Sequence, residues 1–215
     1  MNASAQTFLL AWSALFSIVN PIGVAFIFSQ VTANRSHAER KQLAGMIAFY
    51  SALVMLVALW GGVYVLSFFG ISLSALRIAG GLVVAINAWL LLQAPEVTHE
   101  RKQQQAAESE GLDAVAFFPL TIPFTTGPGT MAVAIALGSN RPSEGSGVLA
   151  FVLGASAAAI VVALIIWVTY AFADRVTAML GRSKAQVVTR LAAFLLLCVG
   201  TQIALSGVAD FVRNL

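Results

Sequence analysis

The sequence predicts an all-α polytopic membrane protein: six transmembrane helices arranged as two inverted three-helix repeats, with broken or re-entrant segments in helices 1 and 4. Three observations carry this prediction. Long uncharged apolar runs recur along the chain, Lys and Arg gather on alternate loops, and short motifs return in the same order in the second half.

The runs come first. Hydrophobic residues make up 59% of the 215 and charged residues 10%, with a mean hydropathy of +0.88. A water-soluble domain carries about a quarter charged residues, so hydrocarbon is the main solvent here. Removing every Asp, Glu, Lys and Arg leaves uncharged stretches at 1–34, 42–76, 78–95, 114–140, 145–173 and 191–209. A membrane helix needs roughly 20 mostly apolar residues. The 78–95 stretch reaches a full span if its helix starts near Ser74 and carries Arg77 close to an interface. Met1–Gln6 is polar and uncharged, so the first stretch reads as a retained helix rather than a cleaved signal peptide.

Charge sets the orientation. With the N-terminus outside, the inside loops hold Arg35, Arg40, Lys41, Arg101, Lys102, Arg175, Arg182, Lys184 and Arg190, and the outside holds only Arg77, Arg141 and Arg213. This positive-inside bias puts both termini outside, or periplasmic, for a bacterial inner (plasma) membrane protein. The net charge of +3 is too small and dispersed for a nucleic-acid stripe. Cys198, the single cysteine, excludes an intrachain disulfide and reads as a small buried apolar side chain.

Local signals mark the ends. Ser36-His37-Ala38-Glu39 has the pattern of a capping box and is expected to start the second helix, and Ser183-Lys184-Ala185-Gln186 the sixth. Trp60, Trp89 and Trp167 lie in or towards span ends, where lipid anchoring is the default role for an amphipathic ring.

The motifs repeat. Asn20-Pro21 in span one is matched by Gly127-Pro128 in span four, at an offset of 107 residues. Gly70-Ile71-Ser72, joining spans two and three, is matched at 111 by Gly181-Arg182-Ser183, expected to join spans five and six. Arg77-Ile78-Ala79 is matched at 113 by Arg190-Leu191-Ala192. Three spans per half is an odd number, so the second half enters from the opposite side, as in the inverted repeats of secondary transporters. The expected divisions are residues 1–93 for the first repeat, 94–113 for a polar cytoplasmic linker and 114–215 for the second repeat.

The matched prolines mark the candidate substrate site. Proline inside a helix removes a donor and clashes with the preceding turn, and in lipid the freed groups must be satisfied by protein or trapped water. Asn is a favoured N-cap and Pro a favoured first helical residue. Asn20-Pro21 and Gly127-Pro128 are therefore each expected to start a half-helix, mid-way along its span. Their positive ends suit a carboxylate or another small anionic group. Asn20 adds an amide, Thr125, Thr126 and Thr130 add hydroxyls, and Gly23, Gly127 and Gly129 allow close backbone approach. The competing reading is a pair of ordinary kinks eased by glycine. Pro119 and Pro123 add further breaks, so a regular helix over 115–138 is not expected. Asn87 and Gln202 are polar groups inside spans, suited to interhelical hydrogen bonds or to lining a substrate path. Arg77 and Arg190 either meet helix-end carbonyls or a substrate, or snorkel to the interface.

No Asp or Glu lies deep in a span, and His37 and His99 fall in loops, which disfavours carboxylate-mediated proton coupling. No H-E-x-x-H motif, cysteine–histidine pair or Ser/Lys pair points to an enzyme, and no metal or cofactor is expected. A transporter is the leading reading. An ion or small-solute channel and a non-transporting membrane scaffold are the alternatives, and homo-oligomerisation is left open.

Several of these segments resemble the MarC family of bacterial membrane proteins. They are Asn20-Pro21-Ile22-Gly23, Phe69-Gly70-Ile71-Ser72, Leu76-Arg77-Ile78-Ala79-Gly80-Gly81, Phe118-Pro119-Leu120-x-x-Pro123, Thr126-Gly127-Pro128-Gly129-Thr130, and Arg190-Leu191 leading to Gly200-x-Gln202. The resemblance runs over nearly the whole chain with the same spacing of spans. It implies the six-span fold and, through one branch of the family, transport of small neutral amino acids such as glycine and alanine. A zwitterionic substrate suits the inferred site, with its carboxylate at the helix starts and its ammonium at the freed carbonyls.

Overall fold

The structure, a computed structural model, describes residues 3–33, 35–93, 112–142 and 146–213. Every regular element among them is helical. In chain order they are α1 (Ala3–Val19), α2 (Pro21–Val31), α3 (His37–Phe68), α4 (Leu73–Gln93), α5 (Leu112–Val115), a wide-turned π segment (Ala116–Thr125), α6 (Pro128–Ser139), α7 (Ser146–Ala171) and α8 (Ala173–Arg213). Five stretches are long and apolar enough to cross a bilayer, and Leu112–Thr125 with Pro128–Ser139, bent by 69°, makes six when that broken pair is counted as one span. The linker 94–113 falls outside the described residues except for Leu112 and Asp113, which begin α5.

Helix ends follow local chemistry. Ser36 caps α3: its Oγ accepts from the Glu39 N–H at 3.3 Å, and the Ser36 N–H donates to Glu39 Oε2 at 2.8 Å. The predicted capping box is complete, reciprocally satisfying two orphan donors. α3 is closed by the turn at Gly70, whose φ is +64°, with the Ile71 N–H reaching back to the Leu66 carbonyl at 2.9 Å. α4 begins at Leu73, where Ser72 Oγ accepts from the Ala75 N–H at 3.1 Å. Its start, one turn ahead of Arg77, gives the third span its length.

The joint between spans five and six departs from expectation. It lies at Phe172, and α8 runs unbroken from Ala173 through Gly181–Ser183 to Arg213. No proline interrupts 173–213, and one internal glycine costs only about 1 kcal/mol in a helix, so Gly181 does not end it. Ser183 consequently starts nothing, because a capping box works only where the chain enters a helix from an extended residue. At 41 residues α8 is roughly 60 Å long if straight, twice the hydrocarbon thickness. Its apolar C-terminal part, Ala193–Arg213, is the sixth span.

Packing contacts fix the directions of the spans. Gly154 on α7 meets Ser4 and Phe8 of α1, while Tyr170 stacks on Phe28 of α2, so spans one and five are parallel. Tyr50 meets the Phe117 ring and Gly62 meets Ile135, so spans two and four are parallel. Trp60 reaches Ser156 and Gly45 reaches Trp167, making spans two and five antiparallel. Spans three and six are antiparallel as well, with Arg77 beside Asp210 and Gly81 beside Gly200 and Ala204. Exchanging span one with four, two with five and three with six carries this set of pairs onto itself, with reversed direction. That is the packing of two inverted three-helix units.

The interior is built from small and aliphatic side chains. Ala44, Ala134, Ala155, Ala158 and Ala159 are buried beside Leu15, Leu43, Ile47, Met55 and Ile166. Small residues let backbones approach where dispersion rather than water drives helix association. Many large apolar side chains, such as Phe49, Tyr64, Phe68, Leu149 and Leu195, point outward, as a lipid-facing surface requires. Cys198 is on this exposed side, not in the core. Trp89 and Trp167 are exposed as expected of anchors. Trp60 is not: its half-buried indole N–H donates to Ser156 Oγ at 3.3 Å and its ring meets Phe151, because span five covers it.

Candidate substrate site at the paired helix breaks

The first break is a single residue. Asn20 sits between α1 and α2 with φ of +46°, a conformation that Asn tolerates better than most side chains. Its N–H donates to the Phe16 carbonyl at 2.9 Å, closing α1, and its own carbonyl accepts from Val24 at 3.0 Å, opening α2. Its side-chain oxygen accepts from the Gly23 N–H at 3.3 Å. Asn20 is thus a true N-cap, with Pro21 as the first helical residue. Pro21 has no N–H to offer the Ser17 carbonyl, which loses its intrahelical donor. Asn20 is half-buried, and Pro21 and Gly23 are buried.

The second break is longer. Phe118 and Ile122, each preceding a proline, adopt extended dihedrals, and both X–Pro peptides are cis. The wide turns that result are held by threonines. Thr121 Oγ1 donates to the Ala116 carbonyl at 2.7 Å, Thr125 Oγ1 to the Leu120 carbonyl at 2.7 Å, and Thr126 Oγ1 to the Thr121 carbonyl at 3.4 Å. Since the Thr125 proton is used, Tyr170 Oη donates to Thr125 Oγ1 at 2.9 Å. These buried hydroxyls satisfy backbone carbonyls that a broken helix exposes. Thr125 and Thr126 therefore act first on the protein's own backbone rather than as free substrate ligands.

The chain then restarts. Gly127 is extended (φ −78°, ψ −176°), Pro128 is the first residue of α6, and no side chain caps this end. The amides of Gly129 and Thr130 head the helix with its positive dipole end. Thr130 is buried.

The second break starts close to the first. A Cβ on Gly129 would lie 1.8 Å from Val84 Cγ2 and 3.6 Å from Ile18 Cδ1. The start of α6 is therefore seated directly against α4 and against the last turn of α1, two residues before Asn20. At Gly129 this contact is packed rather than open. Of the other candidates, Asn87 lies in α4 but its side chain falls outside the described residues. Gln202 lies elsewhere, in a cavity beside Arg77, with its Nε2 at 3.5 Å from Ser206 Oγ. Arg77 does not simply snorkel: it pairs with Asp210. Arg190 is exposed. Thr121 and Tyr170 were not legible as site-building residues. Thr121 lies one turn ahead of Thr125 beside two prolines, which is a usable signal, whereas nothing local links Tyr170 to Thr125.

Comparison with known proteins places these observations. The family model described as MarC family integral membrane protein matches residues 5–212. The inner membrane protein MarC of Escherichia coli O1:K1 is 30% identical over 205 residues, covering 93% of each chain. Its counterparts in Salmonella typhimurium and Salmonella paratyphi B are 31% identical over the same share. No solved structure matches the chain.

Proposed function

The chain belongs to the MarC family of integral membrane proteins and is a multi-pass inner-membrane protein, and we propose that it is a secondary transporter of small neutral amino acids or similar small metabolites. The observation that carries this reading is that the proline-started α6 begins beside the last turn of α1, two residues before the Asn20-Pro21 break of an oppositely directed span. Two such starts bring backbone donors into a region where lipid supplies no acceptor, and a small carboxylate meets that need. In this reading the Gly129 and Thr130 amides and the Thr130 hydroxyl receive the carboxylate. The same reading assigns the ammonium group to the Ser17 carbonyl and the Asn20 amide oxygen at the other break.

The spans carry no deep carboxylate in their sequence, so the reading favours facilitated transport or coupling to a cation held by carbonyl and hydroxyl oxygens. The packed Gly129 contact corresponds to an occluded conformation. Opening it requires the second half to rock against the first, and the reversed packing of equivalent spans suits such movement. Both termini are assigned to the periplasmic side by the charge distribution.

Purified protein in liposomes provides the test, with labelled glycine, alanine and serine in both gradient directions. Saturable uptake and counterflow, abolished by Asn20→Ala and Gly129→Leu, are expected. No flux above those variants across the panel refutes the reading. Conductance without saturation in planar bilayers favours a channel instead.

A further inference from the structure

A cavity of about 310 Å³ lies between spans three, four and six, its lining reaching Ala132, one turn after the start of α6. Arg77, Asn140, Gln202 and Ser206 give it polar groups, and Ala136 and Leu137 contribute to its apolar wall. Arg77 is one turn inside α4, Asn140 follows the last residue of α6, and Asp210 is near the end of α8. All three mark the same end of the helix bundle, which also carries the end of α8 at Arg213. Arg77 pairs there with Asp210, and both side chains are partly exposed, at 23% and 33%. Arg77 lines the cavity, and Asp210, one turn beyond the lining residue Ser206 on α8, reaches it through Arg77, joining the equivalent spans of the two halves.

We propose that this cavity is an outer binding vestibule for zwitterionic amino acids, read by Arg77 and Asp210 together. This rests on the transport reading above and adds to it a second site and a pair of recognition residues. An adjacent guanidinium and carboxylate match the two charges of an α-amino acid in complementary order. On binding, the Arg77 guanidinium turns to the substrate carboxylate and the Asp210 carboxylate to its ammonium, so one ion pair is exchanged for two. Charge-assisted hydrogen bonds of this kind are the stronger ones, and the guanidinium fork matches a carboxylate. The cavity is at the small end of the range for ligand pockets, which selects a short side chain against Ala136 and Leu137. Splitting the Arg77–Asp210 pair also loosens span three from span six at this face, linking occupancy of the vestibule to opening.

The test uses the full-length protein in liposomes and measures alanine uptake at graded concentrations. Arg77→Gln and Asp210→Asn are each expected to raise KM about tenfold or more, the effect of losing one charge-assisted bond, with maximal rate per folded molecule changed far less. Ala136→Phe fills the cavity without touching the pair and is expected to raise KM likewise. Alanine competes with label in the wild type, whereas ethylamine and propionate, each carrying one charge, do not. A pair that is merely structural predicts a lower melting temperature and less folded protein with KM unchanged, and that result overturns the vestibule. If the wild type carries alanine and Ala136→Phe leaves KM unaltered, the vestibule also falls while the transport reading stands. No alanine flux in the wild type overturns both.

Discussion

Adding one methyl group at Gly81 or Gly200 tests the packing of the two halves. A Cβ at Gly81 would lie 2.5 Å from the Ala204 nitrogen and 2.6 Å from the Gly200 carbonyl oxygen. At Gly200 it would lie 2.6 Å from the Ala85 nitrogen and 2.8 Å from the Gly81 carbonyl oxygen. These neighbours are backbone, so no side chain can swing away. Against an ordinary contact of 3.4 Å, the shortfall is about 0.8 Å, and α4 and α8 must part by roughly that much. A gap of that size forfeits about a quarter to a half of the dispersion energy at the contact, and overpacking of this kind costs about 1–3 kcal/mol. Gly81→Ala and Gly200→Ala should each lower stability by that amount, measured by SDS titration of the folded protein in mixed micelles. The double variant should cost less than the sum, because the separation forced by one methyl makes room for the other. Gly61→Ala is the control: its nearest neighbour is Val57 Cγ1 at 3.9 Å, and helix propensity makes it neutral or stabilising by up to about 1 kcal/mol. Single variants within about 0.5 kcal/mol of wild type, or strictly additive losses, would refute the close crossing of spans three and six.

Other changes probe the breaks and the topology. Asn20→Ala removes the acceptor for the Gly23 N–H and puts alanine at a φ of +46°; a loss of about 1–2 kcal/mol is expected, against only a few tenths for Asn20→Gly, by thermal unfolding in detergent. Equal losses would mean that the positive φ at position 20 costs alanine nothing. Tyr170→Phe deletes the hydroxyl bonded to Thr125 and should cost about 1 kcal/mol, a loss that should vanish in a Thr125→Val background, which already lacks the bond. In a Cys198→Ala background, an impermeant maleimide should label Ser139→Cys but not His37→Cys in intact cells; the reverse pattern would invert the assigned orientation.

Features encoded within a few residues were readable from the chain, and features made by distant residues were not. Ser36–Glu39 and Asn20-Pro21 act through backbone groups one turn away, so their chemistry is local and appears where predicted. Gly181-Arg182-Ser183 failed as a joint for a related reason. A glycine and a capping pattern permit a helix boundary without forcing one, and the chain bends at Phe172 instead. Thr125 and Thr126 were identified as polar groups at the break, but their partners were decided by how the wide turns expose carbonyls.

The sequence by itself determined a helical membrane protein, because uncharged runs long enough to span hydrocarbon leave the backbone little choice but to bond within each helix. It also determined where spans one and four break, since proline removes a backbone donor wherever the chain puts it. Tertiary structure alone decided which spans meet, and with that the seating of the α6 start beside Val84 and Ile18, the crossing of Gly81 with Gly200 and the pairing of Arg77 with Asp210. Those contacts join residues far apart in the chain, between surfaces of nearly uniform hydrophobicity. In a bilayer it is shape, small residues and the few polar groups that select such neighbours, and their fit exists only once the helices are assembled.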